Sequence, residues 1–163
     1  MPETFGSNVA AANNQQPEYN VRFATYVLNP ASSATPAVGQ VMHFLTTTQG
    51  TTPTGDGAYT PIYVDVASTT PDFLTAGVCI GGSSLGSTPV VGGLVMVATE
   101  GVVQVLMDAN NTTVAHLAIT GSTTAGAATD SATATLGKTI GTILQTVTIA
   151  SGTKLVWVHV HLM

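Results

Sequence analysis

The sequence predicts an all-β protein: a compact antiparallel β-barrel or sandwich with an extended N-terminal arm and long loops rich in Thr and Gly. Three observations lead there. Apolar residues come in short runs, some alternating with the period of two that turns one face of a strand inward. Segments dense in Thr, Gly and Pro, such as "TTTQGTTPTGDG", separate those runs. No window of a dozen residues carries an apolar stripe of period 3.6 with helix caps, so helix content is expected to be low. At 163 residues the chain is long enough for one domain with a real core.

Residues 1–20, "MPETFGSNVAAANNQQPEYN", are polar, with Phe5, Val9 and Tyr19 as their larger apolar or aromatic groups. Nothing there can build a core, and the stretch reads as an arm. Residues 21–76 form a β-rich segment, a candidate small subdomain, whose runs "VRFATYVL", "QVMHFL" and "AYTPIYVDV" each suit a strand. In the last of these Ile62, Val64 and Val66 alternate with Tyr63 and Asp65. Residues 77–163 are expected to form the barrel or sandwich body. There "GVCIG" reads as a strand, and "GGLVMVATEGVVQVLMD" as two strands around a turn at Thr99-Glu100-Gly101. "TVAHLAITG" suits a strand, "STTAGAATDSATATLGK" a long loop, and "TILQTVTIASGTKLVWVHVHL" two strands around Ser151-Gly152-Thr153.

Charge narrows the function classes. Only 7% of residues are Asp, Glu, Lys or Arg, against about 25% in an ordinary soluble domain. A free monomer keeps itself soluble with a charged coat, so a chain this poor in charge is expected to cover much of its surface with other chains. Arg22, Lys138 and Lys154, set against eight acidic residues, cannot supply the row of cations that phosphate neutralisation requires. This argues against nucleic acid as a partner. The N-terminal stretch has neither a basic region nor an apolar one of the kind that marks a secretory signal. The longest apolar run, around "VVGGLVMVA", falls far short of the ~20 residues that span a bilayer, and no membrane association is expected. Cys79 is the single cysteine, which excludes an internal disulfide and fits folding in a cytoplasm.

Two motifs invite a chemical reading. Gly82-Ser83-Ser84-Leu85-Gly86 matches the G-x-S-x-G pattern around nucleophilic serines. That elbow works only where a buried strand turns sharply into a helix, and Pro89 with Gly92-Gly93 leaves no room for one. A polar loop is expected instead, and no residue is assigned a catalytic role. In "WVHVHLM", alternation puts Trp157, His159 and His161 on one strand face and Val156, Val158, Val160 and Leu162 on the other. The two histidine Cα atoms would lie ~6.7 Å apart, a spacing that suits one ion. Zinc wants three or four ligands, and His43 and His116 lie in separate runs, so neither metal nor any other cofactor is assigned. Trp157, His159 and His161 are instead candidates for a subunit interface.

The succession "LTAGVCIGG", "GGLVMVATEGVVQVLMDA" and "GKTIGTILQTVTIASGTKLVWVHVHL" resembles the small head decoration, or capsid cement, proteins of tailed bacteriophages. The resemblance covers roughly residues 74–163 and rests on glycine placement and strand rhythm. It implies a β-rich subunit, commonly a trimer, on the exterior of the mature capsid. There it would tie neighbouring major capsid proteins together, often through an N-terminal arm. It implies no catalysis. An arm of about 20 residues reaches ~65 Å, enough to add a strand to a neighbour's sheet edge with Phe5, Val9, Tyr19 and Phe23 as anchors. The expectation is a structural virion protein, made in the host cytoplasm and bound outside the mature bacteriophage capsid. The alternatives are a fibre, spike or adhesin module, for which a repeat or slender shaft would be expected, and more remotely a serine hydrolase.

Overall fold

The computed structural model describes residues 21–45, 62–67, 74–108, 112–134 and 136–162. Among them all regular structure is β, with no helix. The nine strands are β1 (Arg22–Leu28), β2 (Val41–Phe44), β3 (Tyr63–Val66), β4 (Thr75–Gly81), β5 (Leu94–Met107), β6 (Leu117–Ile119), β7 (Thr129–Ser131), β8 (Thr139–Ile143) and β9 (Lys154–His161). They lie in one sheet of order β1-β3-β2-β4-β5-β9-β8-β6-β7. The candidate arm, and with it Phe5, Val9 and Tyr19, lies outside the described residues, as does the Thr- and Gly-rich stretch expected to be a loop within residues 46–61.

The sheet is mixed, which corrects the expectation of a wholly antiparallel one. β1 and β3 run parallel, with Val27 beside Tyr63 and Leu28 beside Val64. The chain spends the intervening β2 on the reverse direction, so β3 comes back in the sense of β1. β1 also pairs antiparallel with β5 from Arg22 to Val27. The hydrogen-bonded path β1-β3-β2-β4-β5 therefore returns to its start. In the other half a bridge between Met107 and Ala128 brings the end of the series back to β5. Strands of residues 21–76 and of residues 77–163 thus share one ladder system.

The expected turn at Thr99-Glu100-Gly101 is a second correction, because β5 runs through it as one 14-residue strand. Gly101 takes φ +107°, a conformation that costs glycine little, so the chain bends there without reversing. The two halves have different partners: Leu94–Glu100 face β1 and β4, and Glu100–Met107 face β9. Before this point β5 contributes to both hydrophobic cores, and after it to one alone. Leu28, Met42, Val64, Ala76, Cys79, Val95 and Val97 enclose the smaller core. Val103, Val105, Ile140, Ile143, Val156, Val158 and Val160 are among those that fill the larger.

Consecutive residues of β2, β4 and β5 divide between the two cores. Val41, Val78 and Ala98 belong to the larger one, while Met42, Cys79 and Val97 belong to the smaller. Successive side chains of a strand point to opposite faces, so these three strands form a wall buried on both sides. Such strands read as continuous apolar runs, as "GVCI" does.

Two further expectations are corrected in the C-terminal half. The strand expected in "TVAHLAITG" shortens to Leu117–Ile119, because residues 113–116 turn back, with Ala115 at φ +69°. Asp130 clamps that turn, accepting from the Thr113 N–H at 2.6 Å and bonding His116 Nδ1 at 2.7 Å. Asp130 itself sits in β7, a short strand inside the stretch expected to be all loop. In the last segment β9 is as expected, but its antiparallel neighbour β8 ends at Ile143, and residues 144–153 form no strand between them. Val147 instead makes an isolated bridge to Thr112.

Candidate functional site

The alternation in β9 is realised. Val156, Val158 and Val160 are fully buried, while His159 is exposed and Trp157 and His161 are half-buried. Burying each valine is worth roughly 1.5–3 kcal/mol before ordering costs, which fixes the face the polar set must occupy. Leu155 shares the parity of Trp157 and is 40% exposed. In the β5 register Leu106 lies beside Leu155, Gln104 beside Trp157, Val102 beside His159 and Glu100 beside His161. On the other side Thr142 of β8 lies beside His159, and its Oγ1 bonds His161 Nε2 at 2.8 Å. The result is an outward sheet face of Leu, Val, Trp, Gln, Thr and His, with Glu100 at one end as its charged member.

Phe23 sits on β1 and is 49% exposed. It shares an outward parity with Thr25, which is exposed, and with Val27, half-buried. Leu94 of β5, 51% exposed, lies beside Val27. Phe23 is not brought next to Trp157, His159 and His161. The two surfaces meet at Glu100, which is flanked by Arg22 of β1 and His161 of β9. The Arg22 and Glu100 side chains pair there at 3.3 Å, both exposed.

Ser84 lies exposed in a loop after β4 with no helix following it. Ser87 Oγ accepts from the Gly82 and Ser84 N–H groups at 3.1 and 3.2 Å and donates to the Ser84 carbonyl at 2.7 Å. These bonds build a compact polar turn, without the strand-to-helix step an elbow requires.

Elsewhere the polar residues fasten loops. Asp65 accepts from Asn29 Nδ2 at 3.0 Å and from Ser32 Oγ at 2.8 Å, holding the turn after β1 against β3. His43 lies beside Asp65 in the β2–β3 register. Burial lowers the pKa of His43, and the Asp65 carboxylate opposes that in part. Burial raises the thiol pKa of Cys79, which is fully buried, with a hydrogen bond to the Gly81 backbone acting the other way. Burial likewise raises the pKa of Tyr26, whose ring stands edge-on to Phe44 at 5.2 Å. Among the described residues no group of three or more His, Cys, Asp or Glu is placed to hold a metal ion.

Reasoning from the sequence missed the β5 half of the outward face and the His116–Asp130 pair. Leu155 was within reach, since the parity argument that selects Trp157 extends two residues back. Val102, Gln104 and Leu106 were not, because strand register does not appear in one strand's own pattern. Compared with known protein families and with curated proteins, the chain matches none.

Proposed function

We propose that the protein is a structural virion protein that binds the outside of a mature bacteriophage capsid and stabilises it by bridging neighbouring capsid subunits. The observation that carries this reading is an all-β scaffold whose outward faces on β5–β9 and on β1–β5 mix apolar, aromatic and uncharged polar side chains and hold very few charges. A surface of that kind is favourable when covered and unfavourable when bare. The glycine and strand rhythm shared with capsid cement proteins points to the major capsid protein as the partner.

In this reading the face of Trp157, His159 and His161 joins copies of the chain into an oligomer, with a trimer favoured. Phe23, with Phe5, Val9 and Tyr19 of the arm, contacts the shell. The return of β5 to β1 supports taking the first five strands as a small closed barrel, a shape that leaves few free sheet edges. Stabilisation comes from many weak copies acting on one shell.

The test is to mix purified protein with mature shells lacking it and with unexpanded precursors, and to sediment both. Expected are binding to the expanded shells, a rise in their resistance to heat or chelators, and little binding to precursors. Equal binding to the two forms, or to neither, overturns the proposal.

A further inference from the structure

We propose that His159 and His161 form a two-imidazole chelate for a divalent transition-metal ion of borderline softness, Zn²⁺ or Ni²⁺ being the representative cases. The two side chains leave the same face of β9, and their ring centroids stand 5.7 Å apart. With metal–nitrogen bonds of about 2.0–2.1 Å, two imidazoles on one ion place their centroids on the order of 5 Å apart. The centroid separation is therefore close to what a shared ion requires. Imidazole suits these ions, whereas magnesium and calcium prefer oxygen.

The surroundings support it. The β9 backbone is held on both sides at this point, by Val102 of β5 and by Thr142 of β8, each beside His159. Val158 and Val160, fully buried, fix the strand's rotation so that the histidines stay on the outward face. Thr142 Oγ1 bonds His161 Nε2 at 2.8 Å. A ring nitrogen engaged in this way orients the imidazole, and donation of the Nε2 proton to Thr142 leaves the Nδ1 lone pair for the ion. Glu100, which lies beside His161, is already paired with Arg22, and the chain's net charge of −5 favours a cation at long range.

Two ligands are fewer than a structural zinc site uses, so the ion is bound reversibly, with water completing its shell in the free chain. The inference does not rest on capsid binding, because it is tested on the purified protein; it requires that any contact between copies leave His159 and His161 open to the ion. Full-length protein freed of metal by chelator is titrated with Ni²⁺ by calorimetry, and with Zn²⁺ while histidine ring signals are followed by NMR. Expected are saturable binding and zinc-dependent shifts confined to His159 and His161, with His43 and His116 unmoved. His159→Ala and His161→Ala should each weaken binding by more than tenfold. Thr142→Val should weaken it by about tenfold, the lower end expected for loss of a group that orients a ligand. Absence of binding, shifts centred on His116 or His43, or affinity untouched by both histidine substitutions would overturn the proposal. The NMR arm uses the wild-type chain, so a variant that folds poorly does not decide the matter.

Discussion

His43 couples the fold to pH. Its folded pKa lies below the ordinary value of 6.5, chiefly because of burial. As pH falls below that value the unfolded chain takes up the proton first, which favours unfolding. The contribution of His43 to stability is thus complete above 6.5 and is lost as pH falls toward its lower folded value. Urea denaturation between about pH 7.5 and about pH 5.5 should show a loss of stability in the wild type that is smaller in His43→Gln. Equal losses would place the pH dependence elsewhere. Ser84 is expected to be inert: Ser84→Ala should leave shell binding unchanged, and a fluorophosphonate probe should not label the wild type. An esterase activity that disappears in the variant would restore the elbow reading that the Ser87 turn argues against.

At the scale of elements, β1 is the first described strand, next in sequence to the candidate arm. It starts at Arg22, pairs with β5 from Arg22 to Val27 and with β3 at Val27 and Leu28, and is thus held in the sheet by described strands. Deleting those residues should leave the β body folded and its oligomeric state unchanged, while shell binding falls sharply. Replacing Phe5 and Tyr19 together by Ala should reproduce part of that loss, read by the same sedimentation experiment. Truncated protein that binds at full strength would move the shell contact to the body. Truncated protein that fails to fold would show that the arm pairs within its own subunit or oligomer.

For the molecule as a whole the shared wall of β2, β4 and β5 has a mechanical consequence. Because adjacent residues of each strand serve opposite cores, neither core can open without exposing the back of the other. The described domain should therefore unfold in one transition. Leu28→Ala in the smaller core and Ile143→Ala in the larger should each cost about 2–5 kcal/mol, the range for emptying a fully buried aliphatic site. Each should shift the midpoint by Trp157 fluorescence and the midpoint by alkylation of the buried Cys79 thiol together. Separate midpoints for the two probes would show that the cores melt independently.

What the sequence determined by itself is local. The period-two alternation of "VWVHVHL" settled which face of β9 is buried, because side-chain direction along a strand follows from backbone geometry alone. The Pro and Gly residues after Ser84 likewise ruled out a following helix through their own dihedral limits. The tertiary structure decided what depends on a distant partner. Glycine at position 101 permits a reversal or a bend, and only pairing with β1 and β4 on one side of it and β9 on the other chose the bend. Asp130 and His116 belong together because a turn between β6 and its neighbours needed a clamp, which no spacing announces. The outward face became a surface only when register set Val102, Gln104 and Leu106 beside His159, Trp157 and Leu155. A strand's own alternation is the same whichever neighbour it pairs with, so register is a property of the packed sheet.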